Sequence, residues 1–120
     1  MKLRLTIGTT VLGAELLDNE TSRDFASLLP LTLTLTDFHA TEKVSDLPRK
    51  LTTKGTPPGA DAHAGDLAYY APWGNLAIFY RKFEYAQGLV RLGTIRTDID
   101  ALETMPDEFT VTIELVDDAI

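Results

Sequence analysis

The residues able to do chemistry in this chain fall into a few short stretches. Trp73, the only tryptophan, stands between Pro72 and Gly74. An indole beside a turn either offers a binding platform or folds back to cap a core. Tyr69-Tyr70 and Phe79-Tyr80 are adjacent aromatic pairs. Neighbouring strand residues face opposite sides, so one member of each pair is expected inside and the other outside. Tyr70 and Tyr80 are the expected outward members, sharing a groove with Phe38. Lys43, Arg49, Lys50 and Lys54 gather in an otherwise acidic chain. Such a cluster is able to hold a carboxylate or phosphate, and otherwise solvates a surface loop. Asp61, His63 and Asp66 are oxygen and nitrogen donors at short spacing. A metal needs three or four converging ligands in set geometry, and a loop rich in glycine and proline supplies none, so no metal site is expected. Ser22, Ser27 and Ser45 stand in plain contexts with no histidine–acid partner set. No G-x-G-x-x-G fingerprint is present. No cofactor is expected, and no catalytic residue is assignable.

Composition narrows the field further. The chain has 120 residues, the length of one domain, expected to span 1–120. Lys+Arg total 11 against 18 Asp+Glu, a net charge of −7. That balance disfavours nucleic acid, whose phosphates call for a basic patch, and a polybasic membrane surface. Eight of the acids follow Thr97, with no base among them, while the basic residues gather around 43–54. There is no cysteine, hence no disulfide, thiolate metal site or cysteine nucleophile. The start, Met1 to Gly8, lacks the apolar core of a signal peptide, and no run reaches the roughly 18 apolar residues of a membrane span. A cytoplasmic protein is the expectation; a mature exported form cut from a precursor would read the same.

The elements that must position these residues are short. Leu3, Leu5 and Ile7 alternate with polar neighbours, predicting a strand, and Val11 to Leu17 a returning one. Thr21 with Asp24 resembles a helix cap, and Phe25, Leu28 and Leu29 follow at helical spacing, predicting a helix over 20–29 that Pro30 ends. Leu31, Leu33 and Leu35 alternate with Thr32, Thr34 and Thr36, a clear strand expected to continue, bent, from Asp37 to Val44. Leu47 to Leu51 reads as a helical turn or ordered loop, and 52–65 as a loose connection. Leu67–Ala71 and Leu76–Tyr80 predict a hairpin around Pro72 to Asn75. Leu89 to Ile95 is a further strand, Thr97 with Asp100 a second cap before a short helix, and Phe109 to Leu115 a last strand. Seven or eight short strands with two short helices favour a mainly β, closed barrel with capping helices.

Gly65 to Ala71 followed by Asn75 to Tyr80 makes a glycine-led strand, an asparagine and a phenylalanine-bearing strand. Leu89 to Ile95 followed by Asp98 to Glu103 places a strand and its glycine, Gly93, before the second helix. With the opening order strand, strand, helix, strand, these segments resemble the cyclophilin fold. Leu47-Pro48-Arg49-Lys50-Leu51, the Tyr-Tyr-Ala-Pro-Trp-Gly-Asn stretch of 69–75, Phe79-Tyr80 and Gly88 to Gly93 are similar to the small bacterial cyclophilin-like proteins. The resemblance covers nearly the whole chain and implies an eight-stranded barrel with two capping helices. It implies no established activity, since members are described by fold.

Prolyl isomerisation must lower an amide-resonance barrier of about 18–20 kcal/mol. True cyclophilins do so with an arginine that follows a Phe-His pair, beside an apolar pocket for the proline ring. Phe38-His39 sits at a comparable place, but Ala40 follows, whose side chain carries no hydrogen-bond donor. The companion Gln-Gly-Gly run is missing. The histidine before the later strand also has no counterpart, with Gln87-Gly88-Leu89 in that stretch. The resemblance therefore implies weak or absent isomerase activity. The expected function is a binding module with a shallow groove around Phe38, Tyr70, Trp73 and Tyr80 and Arg49 at its edge. Its ligand would be a proline-containing peptide or a small molecule. A divergent peptidyl-prolyl cis-trans isomerase, using Arg49 or Arg81 from another direction, is the alternative. A third reading is a subunit working beside a redox or transport partner, though no feature names that partner. Oligomeric state is not readable.

Overall fold

The computed structural model describes residues 1–97 and 99–116. Asp98, the first residue of the 98–103 segment read as the second helix, and Asp117 and Asp118 of the acidic C-terminal stretch, lie outside the described residues. The elements run β1 (Lys2–Ile7), β2 (Thr10–Leu16), α1 (Glu20–Ala26), β3 (Leu31–Phe38), β4 (Glu42–Asp46), β5 (Gly59–Ala62), β6 (Asp66–Tyr70), β7 (Asn75–Phe79), β8 (Phe83–Gln87), β9 (Leu89–Ile95), α2 (Asp100–Glu103) and β10 (Glu108–Leu115). Eight antiparallel strands close a barrel in the order β1-β10-β3-β4-β7-β6-β9-β2, and β5 pairs with β8 in a separate two-stranded sheet. Among the described residues, no helix is long and apolar enough to cross a membrane.

Alternation explains the barrel. Leu3 and Leu5 of β1, Leu12 of β2, Leu35 of β3, Leu67 and Tyr69 of β6, Leu76 and Ile78 of β7 and Val111 and Ile113 of β10 are all buried in one interior cluster. Their neighbours face out, as the two-residue period of a strand requires, and on β1, β3 and β10 these are mostly polar. Thr32 and Thr112 oppose each other on the outer face of β3 and β10, with their hydroxyl oxygens 3.1 Å apart. The seam between β2 and β9 closes at Leu16 opposite Gly93. A Cβ on Gly93 would stand 2.3 Å from the Glu15 carbonyl oxygen, so only glycine lets the strands meet there.

Several local expectations change. The cap of α1 is Asn19, whose side chain accepts from the Ser22 amide; Thr21 is buried and donates instead to the Thr52 carbonyl at 2.6 Å. The helix ends at Ala26, not Leu29. Residues 37–44 do not form one bent strand. The chain reverses at His39 and Ala40, both at left-handed φ (53° and 52°), and Thr41 N–H closes the turn on the Phe38 carbonyl. The stretch expected to be loose contains β5, and β8 falls where no strand was expected. Thr97 does not cap α2; its hydroxyl accepts the Gly13 amide at 2.9 Å.

Candidate ligand-binding cleft on the outer barrel face

An aromatic-lined concavity lies outside the barrel, over the outer face of β6, β7 and β9. The outward residues of β6, β7 and β9 would normally meet solvent. Here Ala62, Ala68, Ala77, Phe79 and Leu89 form a second buried apolar cluster, with Tyr70 and Ala86 packed against it. The β5–β8 sheet is what covers them. Phe83 of β8 lies with its ring 5.6 Å from that of Phe79. Gly88, at φ 86°, joins β8 to β9; its carbonyl accepts the Ala71 amide at 2.9 Å and its amide donates to the Pro58 carbonyl. A Cβ on Gly88 would stand 2.7 Å from Pro72. The covering sheet is thereby tied to the β6–β7 turn that carries Trp73.

Between this cover and the barrel wall lies a cleft of about 140 Å³. Phe38, Tyr70 and Trp73 form one wall, with Trp73 edge-on to Phe38 at 5.7 Å and to Tyr70 at 5.3 Å. Trp73 is 59% exposed, an open platform and not a cap on the barrel end. Phe79, Ala77 and Leu89 make the floor, and Phe83 and Ala86 the opposite wall. Two polar side chains enter this lining, Glu42 and Asn75. Glu42 stands between Phe38 and Phe79, its cross-strand neighbours. Burial, with no charged partner to offset it, pushes its carboxyl up to about 7. Asn75 opposes Tyr70 and is 5% exposed, and among the described residues its buried Oδ1 has no hydrogen-bond partner.

Of the residues expected from sequence at the site, Phe38, Tyr70 and Trp73 come together in the cleft, while Tyr80 and Arg49 do not line it. The parity of β7 is the reverse of the expected one: Phe79 faces the cleft and Tyr80 turns to the barrel's end. There the Tyr80 hydroxyl donates to Asp37 Oδ1 at 2.5 Å, and the buried Lys43 ammonium lies 3.0 Å from the same oxygen and over the Tyr80 ring. Burial pushes the Tyr80 hydroxyl up to about 12, helped by the Asp37 carboxylate. Burial also disfavours the Asp37 charge, but hydrogen bonds from Tyr80, Lys43 and the Ala40 amide outweigh it and hold that carboxyl below its ordinary range. Arg49 grips Asp24 of α1 through both terminal nitrogens, at 3.1 and 2.7 Å. With Lys43 inside the barrel and Arg49 on α1, the expected basic cluster is not assembled. Asp66 is buried against β9, accepting from Arg91, Thr94 and the His63 amide.

The residues that sequence reading missed are Glu42, Asn75, Phe79 and the β8 pair. The stretch Phe83-Glu84-Tyr85, aromatic at alternate positions and ended by a glycine at 88, carried a strand signal. Nothing local marked Glu42, because its role depends on what folds over it.

The sequence matches the Cyclophilin-like family over residues 5–114. The chain belongs to the cyclophilin-like family. Among solved structures this cyclophilin-like protein is similar to the hypothetical protein AF2241 from Archaeoglobus fulgidus. The two share a TM-score of 0.71 and 21% identity over 95% of this chain and 93% of that one, a likeness of fold. No curated protein matches it. The arginine that the isomerase mechanism calls for has no equivalent in the cleft lining. Ala40, at the matching place, is an exposed turn residue. Arg81 lies against Tyr80 and pairs with Glu103 at 2.6 Å.

Proposed function

We propose that this cyclophilin-like protein is a binding module whose outer-face cleft takes a small, largely apolar ligand or one side chain of a peptide, without strong prolyl isomerase activity. The observation that carries this reading is the cleft itself. It is aromatic-walled, roofed by the β5–β8 sheet, and contains a buried Asn75 Oδ1 that no group among the described residues engages. Such concave apolar sites with a few convergent polar groups are the usual form of small-ligand pockets. Isomerase chemistry needs a donor at the amide nitrogen, and the cleft lining offers no arginine or lysine for it.

Titration of proline-containing peptides and a panel of small metabolites, followed by Trp73 fluorescence and amide chemical shifts, tests the reading. Shifts clustered at Phe38, Tyr70, Trp73 and Phe79 are expected. A protease-coupled assay on an Xaa-Pro peptide tests the alternative of a divergent isomerase. The expected rate is the uncatalysed one; turnover lost on Arg81→Ala or Arg49→Ala would instead establish the enzyme.

A further inference from the structure

Two oxygen acceptors of the cleft stand unengaged. The Glu42 carboxylate and Asn75 Oδ1 are both acceptors, and among the described residues neither is engaged by a hydrogen bond or ion pair. The nearest cation in the chain sequence, Lys43, points to the other side of the sheet and is held by Asp37. Around these acceptors stand the rings of Phe38, Tyr70, Trp73, Phe79 and Phe83. Aromatic faces attract cations, and a carboxylate in an apolar surround gains most from a positive partner. A neutral apolar ligand would leave both acceptors unsatisfied, and an anion would be repelled by Glu42. The net charge of −7 on the chain also draws cations in.

We propose that the cleft recognises a protonated amine on a small apolar body, its N–H donors directed to Glu42 and Asn75 and its hydrocarbon part held against the aromatic wall. This rests on the reading of the cleft as a binding site. A cavity of roughly 150 Å³ accepts a body of about benzene's size, and the cleft is of that order at about 140 Å³. The elevated affinity of the Glu42 carboxyl for a proton is consistent with a site in which the cation is missing.

The test compares cyclohexylamine, protonated at pH 8, with cyclohexanol, its neutral counterpart of the same shape. Binding is followed by amide shifts and Trp73 fluorescence. The amine should bind about tenfold or more tighter than the alcohol. Glu42→Gln should remove the preference for the amine and bring the two affinities together. Trp73→Leu, at a position 59% exposed and followed by amide shifts alone, should weaken the amine more than the alcohol. A capped tripeptide with a central lysine separates two sources of the same chemistry. Binding tighter than the free amine points to a protein side chain, and weaker binding to a free amine; either supports the proposal. Equal affinity for amine and alcohol, or a preference that survives Glu42→Gln, overturns the proposal and leaves the cleft as an apolar binding site. Absence of binding by both probes overturns the proposal and the binding reading together.

Discussion

Glu42 is the residue whose environment is least expected from its type. A carboxylate near two phenylalanines is held partly out of water with no cation beside it. Its proton affinity is raised, so the native state binds that proton more tightly than the unfolded chain does. Native stability from this group is therefore greatest below the ordinary value of 4.5 and falls as pH rises to about 7. Glu42→Gln should be neutral below pH 4.5 and stabilise above pH 7. A shift of this size corresponds to roughly 3 kcal/mol undamped; solvent reaches the carboxyl, so about 1–2 kcal/mol is expected. Urea denaturation of both proteins at pH 4 and pH 8 checks it. Asp37 behaves in the opposite sense. Its lowered proton affinity contributes stability above its ordinary value of 3.8, lost as pH falls further. Asp37→Asn leaves the Lys43 ammonium buried without its counter-charge. The expected cost at pH 7 is about 2–3 kcal/mol, below that of a fully buried pair because the Asp37 side chain keeps 19% exposure. The cost should shrink at pH 3, and the same denaturation series measures it.

At the scale of elements, the β5–β8 sheet makes the cleft. Two strands alone are marginal in water, so this sheet depends on Phe83 against Phe79 and on the Gly88 junction. Gly88→Ala would impose a left-handed φ on a residue with a side chain and drive its Cβ into Pro72. A loss of about 2–4 kcal/mol is expected. Hydrogen exchange should report it first as faster exchange in 59–62 and 83–87, and in the turn bearing Trp73, before the barrel strands respond. Uniform acceleration over all strands would mean that the covering sheet and the barrel open together. Arg49 belongs to this scale as well, since it joins α1 to the 47–52 connection and does not line the cleft. Arg49→Ala should leave probe binding in the cleft unchanged.

At the scale of the molecule, the barrel closes where Gly93 meets the backbone of Glu15 and Leu16. Gly93→Ala has no flexible side chain to displace and must part β2 from β9. Overpacking of this kind should cost about 2–4 kcal/mol and lower the thermal midpoint of the whole barrel in one transition. Much of this architecture was readable along the chain. Seven of the eight barrel strands and both helices announce themselves: β1, β3 and β10 through the two-residue period that one buried face imposes, the other strands through apolar runs bounded by turns, and the helices through helical spacing. The site was half readable: Phe38, Tyr70 and Trp73 are unusual residues at turn-flanking places. Tyr80 was misjudged, since a pair of adjacent aromatics does not say which member faces the core. Only the register of β7 against β4 and β6 decides that, and it sends Ile78 inward and Phe79 outward. The basic cluster failed for a related reason: Lys43 and Arg49 are near in sequence, but strand alternation and the α1 contact separate them. What the amino-acid sequence determined by itself was the periodicity, hence the strands, the barrel and the family. Tertiary structure decided which outer face would be roofed by β5–β8, and so where an acid lies among aromatic rings. Periodicity is a local property of the chain, whereas a cleft exists only between segments brought together from 38, 42, 70–79 and 83–89.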